Sequence, residues 1–260
     1  MIDYKTPEEI EIMKAGGKIL SDVLWEVLAS VKPGVSELDV ERLADRLITE
    51  KGGEAAFKRV KGYKHATCIS TNNVVVHGIP SDYKYQDGDI AGIDCGVFYK
   101  GFNTDMSETI RVSADGRWQT ANGKKDEIDK FLETGKRALE AGISQARIGN
   151  RIGHISKTIQ DIVEKEGGYG VVRALIGHGV GKELHEEPEV PGYLAKKIEK
   201  TLLLKEGMTI AVEVIYNMGG HEVSYLSDDD WTISSSDGSL SGLFERTIAI
   251  TKDGPLILTK

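Results

Sequence analysis

Residues 89–112 read DIAGIDCGVFYKGFNTDMSETIRV, and this stretch decides the fold class. Two runs rich in apolar and β-branched residues flank Tyr99-Lys100-Gly101, so the stretch reads as a β-hairpin with its turn near those three residues. Each arm carries an aspartate, Asp94 and Asp105, although Asp is a poor strand former. A strand-edge Asp with hydrogen-bonded partners accounts for either one taken alone. Their odd offset points to opposite faces along a single strand, but across a hairpin the relation depends on register. If the two meet, they repel unless a cation sits between them.

Outward from the hairpin the period changes to that of helices. Thr6-Pro7-Glu8-Glu9 reads as a helix start with Thr6 as cap, Pro7 at the first helical position and Glu9 completing a capping box. Ile10, Met13, Leu20, Val23, Leu24, Val27 and Leu28 recur at helical spacing until Lys32-Pro33-Gly34 stops the run. Ser36 with Asp39 opens a second helix, with Leu38, Leu43, Leu47 and Ile48 expected inward, ending at Gly52-Gly53. Strand-like sequence starts at ATCISTNNVVVHGIP (66–80) and continues through the hairpin. Residues 113–127 are polar and are expected to be an exposed loop. Helical runs follow at about 126–142 and 150–166, the second with a stripe of Ile152, Ile155, Ile159, Ile162 and Val163. The last third returns to strands in GMTIAVEVIYN (207–217) and WTISSSDGSLSGLFERTIAIT (231–251). Two helices, strands, two helices, strands is the plan of an α+β domain with a sheet covered by helices on one side. The two halves share this plan, each supplying two acidic candidates on strands. No Pro/Ser-rich linker divides them, so one domain over 1–260 is expected.

Composition narrows the function. The chain has 260 residues, 40% hydrophobic and 28% charged, ordinary values for a globular protein. A net charge of −8 argues against nucleic acid or anionic membrane as the main partner. The first residues, MIDYKTPEEIEIMK, are charged and amphipathic, unlike an apolar secretory segment. No run approaches the length of a membrane span. Cys68 and Cys95 are the two cysteines, and reduced thiols in a cytoplasmic protein is the economical reading.

Three further residues join the two aspartates. His178, in IGHGVGKELHEEP, is flanked by glycines at 177, 179 and 181 that remove side chains and let backbone approach closely; His185 follows. Glu213, in MTIAVEVIY, sits among apolar neighbours, where a buried carboxylate needs a partner or a metal. Glu245, in GLFERTIAI, repeats that pattern. Arg246 offers it an ordinary partner, although adjacent strand residues face opposite ways. Four carboxylates with one imidazole suit two hard divalent ions sharing an activated water, which points to a hydrolase.

The order Asp, Asp, His, Glu, Glu and the surrounding sequence resemble the type I methionine aminopeptidases, which have the pita-bread fold. The resemblance runs over essentially the whole chain, through TPEEIEIMKAGG, CISTNNVVVHGIP, GDIAGIDCGVFYKGFNTDMSET, GHGVGKELHEEPEVPGY, EGMTIAVEV and WTISSSDGSLSGLFERTI. It implies a curved antiparallel sheet covered by helices, in two pseudo-twofold halves. It also implies two divalent metal ions per chain, Co, Mn, Fe or Zn, with Asp94, Asp105, His178, Glu213 and Glu245 as ligands. Asp105 and Glu245 would bridge them. By the same resemblance His77 would contact the substrate amide, and His185 would stabilise the carbonyl oxygen as it becomes an oxyanion. Glu213 would also shuttle a proton. Tyr63, Cys68 and Trp231 would line the methionine pocket, with plain core as the less favoured reading of Cys68 and Trp231.

The implied activity is removal of the N-terminal methionine of nascent chains when the second residue is small. The implied setting is the bacterial-type cytoplasm near the ribosome, as a monomer, although no segment is an evident ribosome-binding extension. The chain departs from the family at several points: Val214 follows Glu213 where Pro is usual, Arg246 replaces His, Leu184 replaces an aromatic, and Phe57 and Val60 are atypical. These departures bear on pocket width and metal preference. The run Asp228-Asp229-Asp230 beside Trp231 also reads as a loop change near the pocket rim. His65, His154 and His221 are expected to be surface or structural, and Cys95 to be core.

Prolidases and proline-specific aminopeptidases share the ligand plan but carry a large additional N-terminal domain, whereas the sequence before Asp94 is expected to hold only the opening helices and strands of the type I family. Type II methionine aminopeptidases carry an insertion that the interval from His178 to Glu213 is too short to hold. A metal-free binding protein of this fold should have lost ligands and gained basic patches, whereas this chain keeps all five and is acidic.

Overall fold

The structure is a computed structural model that describes residues 2–113, 126–225 and 229–260. The expected loop at 113–127 falls, apart from its end residues, outside the described residues, as does Asp228.

Local sequence sets the helix ends. Thr6 caps α1 (Pro7–Ser30), its hydroxyl accepting the Glu9 N–H while the Glu9 carboxylate accepts the Thr6 N–H. Ser36 and Asp39 do the same for α2 (Glu37–Glu50), and Asp126 with Asp129 for α3 (Glu127–Ser144). α4 (Ile152–Gln160) continues as a wider π turn over Asp161–Glu166. The buried stripe of α2 differs from the expected one. Leu38 and Leu43 are half-buried, while Glu37, Val40, Glu41, Ala44, Leu47 and Ile48 are buried. The two glutamates hid the stripe because both are satisfied inside. Glu41 accepts the Ala66 and Thr67 N–H groups at 2.7 and 2.9 Å, and Glu37 accepts from Thr71 and Ser81.

The described strands are β1 (Glu54–Ala55), β2 (Thr67–Thr71), β3 (Val74–Val76), β4 (Ile90–Tyr99), β5 (Phe102–Arg111), β6 (Gly170–Val171), β7 (Gly177–Gly179), β8 (Glu186–Val190), β9 (Thr209–Asn217), β10 (Val223–Tyr225), β11 (Ile233–Ser235), β12 (Ser241–Thr251) and β13 (Gly254–Ile257). The hairpin is β4–β5, turning at Lys100-Gly101 as expected. Residues 231–251 form two strands, broken at the turn where Gly238 takes a φ of +74°. The main sheet runs β1-β4-β5-β12-β9-β7-β8, with β2, β6 and β13 paired to β4, β9 and β12. A small sheet, β10-β11-β3, lies beside it.

Alternation assigns the faces. Ile93, Cys95, Val97, Met106 and Ile110 pack with Leu20, Leu24, Val40 and Ile48 of α1 and α2. Ile210, Val212, Val214, Phe244 and Ile248 pack with Phe131, Leu139, Ile155 and Ile159 of α3 and α4. Each such side chain contributes about 1.5–3 kcal/mol of apolar burial. The helix pairs thus hold the two halves of the sheet from one side, leaving the other side for the residues at 94, 105, 213 and 245. The halves meet where β5 pairs β12.

Candidate metal centre and substrate cleft

Strand register gathers the candidate ligands. Asp94 pairs with Ser107, Ser107 with Glu245, and Glu245 with Glu213, which makes one line across β4, β5, β12 and β9. Asp105 lies two residues from Ser107, and His178 pairs with Ala211, two from Glu213, so both share the face of that line. Five adjacent strands therefore contribute one candidate each. The odd offset between Asp94 and Asp105 becomes an even one once the hairpin register is applied.

The donor atoms converge. One oxygen of Asp105, one of Glu245 and a His178 nitrogen lie within 4.8 Å of one another. His178 Nε2 is 3.5 Å from Glu213 Oε1 and 3.9 Å from Asp105 Oδ2. Its Nδ1 lies 2.8 Å from the Gly179 carbonyl, which can only accept. The proton therefore sits on Nδ1, and the Nε2 lone pair faces the carboxylates. The flanking glycines are required: a Cβ on Gly177 would stand 2.5 Å from the Ala211 carbonyl oxygen, and one on Gly179 would run into the Glu187 backbone.

The electrostatics call for cations. Burial, followed by the neighbouring carboxylates, pushes Asp94, Glu213 and Glu245 well above the usual carboxylate range, and burial raises Asp105 as well. Burial and His185 push the His178 imidazole down to about 4. Asp94 Oδ1 and Glu245 Oε1 are buried with no hydrogen-bond partner. Buried carboxylate oxygens left in this state are costly. Oxygen donors grouped about one neutral imidazole fit hard or borderline divalent ions.

A single cleft of about 120 Å³ contains all five, together with His77, His185, Tyr63, Cys68 and Trp231. The apolar end is walled by Phe57, Val60, Tyr63, Cys68, Leu184 and Trp231. Tyr63 meets Trp231 edge-on at 5.0 Å and Phe57 at 6.4 Å. Cys68 pairs directly across from Asp94, so this wall starts where the carboxylate line ends. His185 stacks edge-on with His178 at 4.4 Å. His77 takes a φ of +56°, an uncommon conformation that turns the chain after β3. Burial lowers both imidazoles below the usual histidine range.

Residues 11–252 match metallopeptidase family M24. The chain belongs to that family. A methionine aminopeptidase from Borreliella burgdorferi is 42% identical over 257 residues, which cover 98% of this chain and 97% of that one. A crystal structure of methionine aminopeptidase from Thermotoga maritima matches with a TM-score of 0.92 and 38% identity, covering 100% of both chains. Prolidase from Pyrococcus furiosus matches with a TM-score of 0.74 and 25% identity, covering 99% of this chain but 65% of the prolidase. The pita-bread fold of the M24 family is therefore the fold of this chain, as the resemblance implied.

Within this M24 chain the departures fall on different sides of the sheet. Phe57, Val60 and Leu184 line the cleft. Val214 packs against the helices, and Arg246 reaches Glu108 on that same face at 2.7 Å, so neither touches the pocket. Side chains alternate along a strand, so these two departures lie on the face opposite the candidate ligands, whereas Phe57, Val60 and Leu184 stand in the cleft wall. Asp229 accepts the Trp231 and Thr232 N–H groups at 2.8 and 2.7 Å, fixing the chain that carries Trp231. His154 Nδ1 accepts the Arg151 N–H as a structural cap, and His221 is exposed. His65 packs edge-on against Tyr63 behind the cleft wall. Cys95 is core. Val76 and Leu243 also line the cleft without having been singled out. Leu243 was detectable, since it lies two residues from Glu245 and shares its face.

Proposed function

We propose that this chain removes the N-terminal methionine of nascent proteins and peptides when the second residue is small. It does so as one catalytic domain spanning 1–260, using two divalent ions drawn from Co, Mn, Fe and Zn. The observation that carries the reading is the meeting of an apolar slot and a buried carboxylate–imidazole cluster in one cleft. The methionine side chain enters the slot between Cys68, Tyr63 and Trp231, where apolar and soft groups suit a thioether.

Asp94, Asp105, His178, Glu213 and Glu245 hold the ions, with Asp105 and Glu245 central on the two strands that meet at the seam. When bound, the ions supply an activated water and polarise the scissile carbonyl. Glu213 takes the proton of the attacking water and passes it to the leaving amine. His185, neutral at physiological pH because burial lowers it, donates an N–H to the carbonyl oxygen as charge develops there. His77 holds the substrate amide. Past His77, His178 and His185 the cleft opens into a groove beside Leu175, Ile176 and Ile215, which gives the rest of the peptide a way out. An apolar slot on one side of the candidate ligands and a groove on the other suit an enzyme that takes a chain by its first residue.

Among the described residues no helix is long and apolar enough to cross a membrane. The likeness to bacterial methionine aminopeptidases supports cytoplasmic action on chains leaving the ribosome, by a monomer. The test compares Met-Ala-Ser, Met-Leu-Ser and N-acetylated Met-Ala-Ser. Release of methionine from the first, slow release from the second and none from the third is expected. Cleavage of the acetylated peptide, or of an internal bond, contradicts the reading.

A further inference from the structure

The seam between the two halves is short and symmetric. Direct pairing of β5 with β12 covers two residue pairs, Glu245 with Ser107 and Arg246 with Met106. Continuing that register would set Asp105 against Thr247 and Thr109 against Leu243. At both places a threonine hydroxyl takes the place of backbone pairing. Thr247 Oγ1 accepts the Asp105 N–H at 2.8 Å and donates to the Asp105 carbonyl at 2.8 Å. Thr109 Oγ1 accepts the Leu243 N–H at 2.9 Å and donates to the Leu243 carbonyl at 2.7 Å. Both threonines are buried.

A hydroxyl inserted between two strands holds them farther apart than a direct N–H···O=C bond, and it fixes that spacing because one group satisfies a donor and an acceptor together. The backbone of Thr247 is engaged elsewhere. Its N–H is accepted by Thr259 Oγ1 at 2.9 Å, and its carbonyl accepts from Leu258 at 2.9 Å. The hydroxyl is thus carried on β12, whose main chain at Thr247 is tied to Leu258 and Thr259 just after β13, and it grips the main chain of a candidate ligand, Asp105.

The seam is also where the candidate ligands divide. Asp94 and Asp105 belong to the first half; His178, Glu213 and Glu245 belong to the second. We propose that Thr247 and Thr109 are positioning residues that set the width of the seam, and with it the separation between the metal ligands of the two halves. The inference rests on the five residues being metal ligands. Neither threonine touches substrate or ions; each acts through the main chain of the strand opposite.

The test is Mn²⁺ binding to metal-stripped full-length protein, followed by calorimetry and by the electron-spin coupling between paired Mn²⁺ ions. Outer partners of metal ligands typically change metal affinity about 10–100-fold. Thr247→Val should weaken Mn²⁺ binding by about that factor and lose the spin coupling, while Thr247→Ser, which keeps the hydroxyl, restores both. A purely structural threonine would lower the unfolding temperature of the valine variant and leave affinity and coupling as in the parent. That outcome overturns the proposal. Should Thr247→Val not fold, Thr109→Val carries the same test, since its hydroxyl bonds only Leu243, and unchanged Mn²⁺ affinity in that variant also overturns the proposal. A parent chain that binds no Mn²⁺ removes the metal reading itself, and the proposal with it.

Discussion

Glu245→Gln should make the metal-free protein more stable while destroying its response to metal. Glu245 Oε1 is buried without a hydrogen-bond partner, and the side chain faces Glu213 directly across the ladder. An unsatisfied buried acceptor costs about 1–3 kcal/mol, and like charges facing across a sheet cost about 0.2–1 kcal/mol. A neutral amide relieves the repulsion and can donate to Glu213, so a gain of about 1–3 kcal/mol is expected. At roughly 2–4 °C per kcal/mol for a domain of this size, unfolding shifts up by about 2–12 °C. Mn²⁺ at a hundredfold excess over its dissociation constant should stabilise the parent by about 2.7 kcal/mol per site, and the variant far less.

The pH dependence has a definite sign. Burial raises the folded-state values of Asp94, Asp105, Glu213 and Glu245 above those of an unfolded chain. The metal-free fold therefore holds protons that the unfolded chain releases. That stability is full below the ordinary carboxylate range and is lost as pH rises through the folded-state values. The advantage of Glu245→Gln should accordingly grow with pH. The assay is thermal unfolding followed by circular dichroism in chelator, then with Mn²⁺, at several pH values. A metal-free variant no more stable than the parent, or one that Mn²⁺ stabilises equally, refutes the reasoning.

His178→Ala and Glu213→Ala should each abolish methionine release while far-ultraviolet circular dichroism stays that of the parent; full turnover in either would remove that residue from the site. His185→Ala should lower kcat by about 10²–10³-fold, as for the loss of one oxyanion donor, with a smaller change in KM; an unchanged kcat would deny it that role. Arg246→Met should cost about 2–4 kcal/mol in denaturant unfolding, less than the usual 3–5 for a broken buried pair because Lys136 still meets Glu108 at 2.9 Å. The ratio of Met-Ala-Ser to Met-Val-Ser cleavage should stay that of the parent, because Arg246 lies on the helix face, and a changed ratio would contradict that placement.

Much of this was legible in the sequence because the signals were local. Thr6 with Glu9 and Ser36 with Asp39 mark helix starts through bonds that span one turn. The hairpin declared its turn at Lys100-Gly101, and Asp94, Asp105, Glu213 and Glu245 stood out as acids among strand formers. The glycines around His178 foretold a close backbone approach that the fold then uses. What stayed hidden depends on partners distant in the chain. Glu37 and Glu41 look like surface residues until Thr71, Ser81, Ala66 and Thr67 are brought to them. The register that sets Ser107 against Glu245, and so lines up the carboxylates, joins segments more than a hundred residues apart. Thr109 and Thr247 carry no signal of their own, since a threonine in a strand is ordinary. Arg246 and Val214 looked relevant to the pocket by adjacency to ligands, but strand alternation sends each away from it.

The central claim is metal-dependent hydrolysis of the first peptide bond after methionine. It is tested most directly by stripping the protein of metal and measuring free methionine released from Met-Ala-Ser as Mn²⁺, Co²⁺, Fe²⁺ or Zn²⁺ is returned singly. The account predicts no release in chelator and recovery with at least one of these ions, reaching its plateau at two ions per chain. Release that persists in chelator, or none with any of the four ions, contradicts it.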